Sequence, residues 1–145
     1  MVKIRVEVEV RPTEDLEKVR RALLNVFEPG KIEVIERDKG YKLLVGESNS
    51  YRSLLKIHEL IRRERIMDAA RSMLRKGVIG NMLIFKVNKQ AAYQGRLSFV
   101  ETDSESPMGA ITFIIETDNP YEVIDWLAPK TSMGKPLWER EMPKD

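Results

Sequence analysis

Val2-Lys3-Ile4-Arg5-Val6-Glu7-Val8-Glu9-Val10 makes every second residue apolar and fills the positions between with charge. Successive side chains on a strand point to opposite faces, so this stretch reads as a half-buried β-strand. Its valine-rich face must then be covered by a second layer of structure. Pro12-Thr13 stops the strand, and Thr13 reads as the cap of a helix whose first turn carries Glu14 and Asp15. Leu16, Val19, Leu23, Val26 and Phe27 form one stripe of that helix, and Pro29-Gly30 ends it.

Working outward, Ile32–Ile35 and Tyr41–Val45 read as a hairpin around Asp38-Lys39-Gly40, with Gly40 supplying the positive φ of a three-residue loop. Ser48, Asn49 and Ser50 are alternative caps for a long helical stretch, Tyr51 to Lys76, closed by Gly77. Leu54, Ile57, His58 and Ile61 share one face of it, while Ile66, Ala69, Ala70, Met73 and Leu74 share another. The five-residue step from Ile61 to Ile66 turns the stripe by about 140°. Either the helix breaks near Arg62–Arg65, or it shows two apolar faces, one for the sheet and one for a partner subunit.

Met82–Val87 reads as a strand, and Asn88 to Ala92 is too small and polar for a core strand. Gly95–Glu101 and Ala110–Thr117 read as a strand pair joined by an acidic turn, Asp103 to Gly109. Asn119-Pro120-Tyr121-Glu122 opens a short helix, Pro120–Leu127. The expected fold class is α+β: a mixed, mainly antiparallel sheet of about six strands covered by one long and two shorter helices. Residues 1–131 form the single domain, and 132–145 a polar, loosely held carboxy-terminal tail.

Charged residues make up 33% of the chain and cysteine is absent, which excludes disulfide and thiolate chemistry. The amino terminus lacks the continuous apolar core of a signal peptide, and no window approaches the length of a membrane span. The expectation is a soluble cytoplasmic protein. The formal net charge of +2 conceals an asymmetry. Residues 51–96 hold eleven basic and three acidic groups, whereas 97–129 hold seven acidic groups and no basic one. Such segregation suits the steering of a charged partner.

Catalytic chemistry is poorly supplied. The one histidine, His58, sits among Leu54, Ile57 and Ile61, and reads as a buried, hydrogen-bonded structural or interface residue. One histidine and no cysteine do not make a zinc site. Gly134-Lys135 lacks the upstream glycine and the Ser or Thr of a phosphate-binding loop, and Gly77 with Gly80 lacks the third glycine of a dinucleotide fingerprint. Asp103 and Glu105 read as a solvated turn, without the further acidic ligand that calcium requires. No enzyme, metal or cofactor is expected.

The basic segment is the functional candidate. Arg62, Arg63 and Arg65 cluster at the midpoint of the long helical stretch, and Arg71, Arg75 and Lys76 follow. Neutralising backbone phosphates releases counterions, which favours such clusters. Asn88, Lys89, Gln90, Tyr93 and Arg96 add donors and one aromatic ring able to stack on an exposed base. The competing reading is a solvated helix face with internal pairs Glu59–Arg62, Glu59–Arg63 and Asp68–Arg71.

Four blocks together carry a family likeness: Leu54–Arg75 (LLKIHELIRRERIMDAARSMLR); Gly80-Asn81 with Asn88-Lys89-Gln90-Ala91-Ala92; Glu105-Ser106-Pro107; and Trp126-Leu127-Ala128-Pro129. Over residues 1–131 the chain resembles an uncharacterised archaeal protein family grouped with RNA-binding proteins. The resemblance implies a fold similar to the large-subunit ribosomal protein that binds 5S ribosomal RNA, assembled as a homodimer. It also implies a phosphate-loop kinase-like protein as a partner, and it supplies no catalytic residue. The two functions in view are a non-enzymatic RNA-binding or ribosome-associated module, and a homodimeric regulatory or scaffolding protein for a kinase-like partner.

Overall fold

The computed structural model describes residues 1–102, 105 and 108–145. In chain order these give β1 (Val2–Val10), α1 (Leu16–Val26), β2 (Lys31–Glu36), β3 (Lys42–Ser48), α2 (Leu55–Arg63), α3 (Met67–Lys76), β4 (Val78–Ile79), β5 (Met82–Asn88), α4 (Lys89–Tyr93), β6 (Phe99–Val100), β7 (Ala110–Thr117), α5 (Pro120–Leu127), β8 (Thr131–Ser132) and β9 (Lys135–Pro136). The fold is α+β. The main sheet has seven strands in the order β2-β3-β1-β7-β5-β4, with β6 paired to β5, and its pairings are antiparallel.

β1 lies inside the sheet, between β3 and β7. Val2, Ile4, Val6, Val8 and Val10 are all buried and share one core with residues of α1, α2, α3, α4 and α5. The helices therefore cover the valine face, and the charged positions of β1 fall on the other side of the sheet. Ile4 faces Ser48 and Ile115, and Val8 faces Leu44 and Ile111. The core is closed by Phe113, which stacks on Phe85 at 4.7 Å and meets Phe27 edge-on at 5.9 Å.

The 51–76 stretch is broken. A 3-10 turn, Tyr51–Leu54, capped by the Ser50 side chain, leads into α2, and α3 starts again at Met67. The break is a Schellman motif: the amide of Ile66 bonds back to the Ile61 carbonyl at 3.1 Å, and that of Arg65 to the Arg62 carbonyl at 3.2 Å. Arg65 takes the left-handed position, φ 55°, that glycine usually fills. The change of direction at Ile61–Ile66 turns both stripes onto the same core, where Leu54, Ile57, Ile61, Ala70 and Leu74 are completely buried. Of the second stripe, Ile66 and Met73 are partly buried and Ala69 is exposed.

Three further local differences have clear causes. Asp15, not Thr13, caps α1, accepting the Glu17 amide at 2.9 Å. The segment around Phe99 contributes only a two-residue strand, and it pairs with β5 rather than β7; β7's edges are already taken by β1 and β5. Asn88 to Ala92 turns into α4, with Asn88 as its cap, accepting the Ala91 amide at 2.9 Å. The hairpin near Gly40 (φ 82°) and the Asn119-capped α5 form where the sequence puts them.

The tail is not a loose appendage. β8 and β9 form a hairpin through Met133 and Gly134, both at positive φ. The chain then runs back over α2 and α5: Pro143 is buried, Met142 packs against the core, and the Asp145 carboxylate accepts the Tyr51 amide at 2.7 Å.

Candidate nucleic-acid interface

The break at Glu64–Ile66 projects basic residues from one corner of the helix layer. Glu64, which caps the end of α2 before the left-handed turn, accepts the Arg96 guanidinium at 3.1 Å and the Leu97 amide at 3.4 Å. The Arg96 hydrogen bond is the main reason the Glu64 carboxyl sits below the usual carboxylate range. Arg63 donates to the Gly95 carbonyl at 3.1 Å. Arg65 is exposed, and its side chain has no partner among the described residues.

α4 abuts this corner from the other side. Asn25 of α1 donates to the Ala92 and Tyr93 carbonyls at 2.9 and 3.2 Å, fixing the end of α4 against α1. Arg21 of α1 lies 5.9 Å from the centroid of the exposed Tyr93 ring. Arg21, Tyr93, Arg63, Arg65 and Arg96 thus come from α1, α4, α2, the turn between α2 and α3, and the loop after α4. Arg21 was invisible as a candidate because residues 1–50 balance ten basic against ten acidic groups. Its only local signal was the Arg20-Arg21 pair on a helix.

Arg62, Arg71, Lys76 and Lys89, like Arg63 and Arg96, are bonded within the molecule. Arg62 donates to the carbonyls of His58, Trp126 and Leu127 and to both carboxylate oxygens of Glu139. Arg71 bonds Asp125 at 2.9 Å and the Ala128 carbonyl at 3.0 Å. Lys76 pairs with Glu101 at 2.9 Å. Lys89 is 4% exposed; its ammonium donates to the Glu9 carbonyl at 2.8 Å and to both oxygens of Glu14 at 3.0 and 3.1 Å. Asn88 is the α4 cap. Arg75 is exposed on α3 with no side-chain partner among the described residues, beside Arg71 and Lys76 and away from α4.

The intrahelical pairs expected for a bland solvated face are replaced by long-range ones. Arg62 pairs with Glu139 and Arg71 with Asp125, while Asp68 accepts the Thr131 hydroxyl. Glu59, by contrast, has no salt-bridge partner among the described residues. His58 is half-buried and stacks on Trp126 at 5.1 Å; burial and then the neighbouring Arg62 charge hold its pKa below the ordinary value. Glu105 accepts the amides of Glu101 and Thr102 at 3.0 and 3.1 Å, while Asp103 lies outside the described residues. No helix among the described residues is long and apolar enough to cross a membrane.

Comparison with known proteins bears on this surface. A family model described as RNA binding matches residues 3–117. The chain is 54% identical over 144 residues to a UPF0201 protein of Aeropyrum pernix, covering 99% of this chain and 95% of that one. It is 51% identical over 146 residues to a UPF0201 protein of Saccharolobus solfataricus, covering 100% and 99%. The crystal structure of the UPF0201 protein from Methanococcus jannaschii superposes with a TM-score of 0.82 at 35% identity, covering 93% of this chain and 98% of that one. A DUF54 protein of Methanothermobacter thermautotrophicus superposes with a TM-score of 0.56 at 28% identity, covering 81% and 85%. With a match spanning β1 to β7 and relatives aligned end to end, the chain belongs to the archaeal UPF0201 family, whose model carries the RNA-binding description.

Proposed function

We propose that this protein binds RNA, without catalysis, through the corner formed by Arg21, Arg63, Arg65, Tyr93 and Arg96. Arg65 carries the reading. A non-glycine residue in the left-handed region costs about 1 kcal/mol, and strain of that kind collects at functional sites. The Arg65 side chain offsets none of this cost within the chain, since it is exposed and has no partner among the described residues. An arginine kept there in place of glycine fits a contact made outside the molecule, and a phosphate is the partner that its planar fork suits best. Arg63 and Arg96 flank it, and Tyr93 adds a surface on which a base can stack. Arg75, on α3, extends the positive surface along the helix layer.

The test is binding of single-stranded RNA to the full chain across a salt series. Affinity should fall with salt, and Arg65→Gly should weaken binding and reduce the slope of log affinity against log salt by about 0.7. The same substitution should make the protein more stable. Affinity unchanged from low to moderate salt, or Arg65→Gly binding as tightly as the parent, overturns the reading.

A further inference from the structure

We propose that the cleft between α1 and α4 receives one unpaired nucleobase of a bound RNA strand. The cleft has a volume of about 570 Å³, within the range of small-ligand sites. Val19 and Ala22 give it an apolar wall, and Tyr93 an aromatic one that is 37% exposed. The chain has two glutamines, Gln90 and Gln94, and both line this cleft. Neither side-chain amide has a hydrogen-bond partner among the described residues. An amide presents a donor pair and an acceptor side by side, which is the pattern a base displays along its edge.

Charge inside the cleft argues for a base rather than a phosphate. Lys89 and Glu14 lie at its base and are only 5% and 10% exposed along their side chains. The three protons of the Lys89 ammonium meet three acceptors, two of them on Glu14, and Glu14 also accepts the Arg11 amide at 2.9 Å. That pair is neutral and satisfied, so it recruits no anion. Asp15 on the lining adds negative charge that repels one. Two exposed cations adjoin it: Lys18 lines the cleft beside Asp15, and Arg21 stands over Tyr93. A strand therefore keeps its phosphates on Lys18 and Arg21 while one base turns inward against Tyr93 and the two amides. The site lies beside Arg65 and its neighbours, and the inference rests on the RNA reading given above.

Two measurements on the full chain test it. In the first, each of the four ribonucleosides, which carry no phosphate, is titrated into isotope-labelled protein while the side-chain amide resonances of Gln90 and Gln94 are followed. At least one nucleoside should shift both. In the second, single-stranded and double-stranded RNA of equal length are compared against the parent, Tyr93→Ala and Tyr93→Phe. Single-stranded RNA should bind more tightly, Tyr93→Ala should lose about ten- to a hundredfold of that affinity, and Tyr93→Phe should retain it with the salt slope unchanged. Salt-dependent RNA binding with no glutamine shift and no loss in Tyr93→Ala overturns the base site and leaves the RNA reading standing. Nucleoside-induced shifts without any RNA binding retain a base-binding cleft and overturn the RNA reading. Silence in both measurements overturns both.

Discussion

Arg62 and Glu139, 77 positions apart in the chain, meet in a two-bonded ion pair, Nε to Oε2 at 3.1 Å and Nη2 to Oε1 at 2.6 Å. The same guanidinium holds the carbonyls of Trp126 and Leu127 at the end of α5, at 3.3 and 3.0 Å. One side chain on α2 thereby ties together α2, α5 and the tail. The arginine at the centre of the basic run in the sequence is thus a structural clamp.

The two partners of this pair should differ in their effect on stability. Arg62→Ala leaves the carbonyls of Trp126 and Leu127 without their donor, and should cost about 2–3 kcal/mol. Glu139→Ala removes a half-exposed carboxylate, and should cost about 1 kcal/mol or less. Urea denaturation of both variants checks the ordering. Substitution of Arg62 is therefore a poor probe of RNA contact, because it acts on folding.

Stability should fall in two steps on acidification. Burial holds His58 below its ordinary pKa, so the fold favours the neutral ring; that contribution is complete above the unfolded value of about 6.5 and is lost as pH falls below it. The Glu139 carboxyl is held low mainly by its hydrogen bond to Arg62. Its contribution is present above the unfolded value of about 4.3 and is lost as pH falls through the lower folded value. Urea midpoints measured between about pH 8 and pH 3 should show both steps, and His58→Gln should remove the first.

Lys89 and Glu14 should behave as a coupled pair. Lys89→Met strands a buried carboxylate and should cost about 3–5 kcal/mol. Adding Glu14→Leu should recover a large part of that loss, because both desolvated charges are then gone. A double-mutant cycle in urea reads the coupling, and additive losses would show that the two groups act independently.

Gly77 and Gly80 should respond differently to alanine. A Cβ on Gly77 would meet the Ile84 carbonyl oxygen at 1.9 Å, whereas one on Gly80 has open space around it. Gly77→Ala forces α3 away from β5 and should cost about 2–4 kcal/mol. Gly80→Ala meets only the strain of φ 58° and should cost about 1 kcal/mol. Thermal or urea unfolding of the two variants separates them.

Much of the fold is legible in the sequence where the signal is local. The alternation of Val2–Val10, the Asn119-Pro120 start of α5 and the positive-φ glycine of the β2–β3 hairpin each rest on neighbouring residues. The direction of the stripe across Ile61–Ile66 marked the place of the break, although the residue that makes the turn, Arg65, is one that φ preferences do not favour. Strand pairing was less legible: Phe99–Val100 lies beside β5 because β1 already occupies the other edge of β7, and nothing in that short segment encodes it.

What the sequence by itself determined is composition and period: a valine-faced strand, amphipathic helices, a histidine with no catalytic company, and a basic run across residues 51–96. Tertiary structure alone decided which of those charges remain outward. Carboxylates and carbonyls far along the chain neutralise Arg62, Arg71, Lys76 and Lys89, while Arg65 and Arg75 stay unpartnered among the described residues. Arg21, from a segment of no net charge, joins Tyr93 across 72 positions. The physical reason is that a pairing is fixed by distance in space, and side chains this far apart in sequence come within reach only once the helices have packed on the sheet.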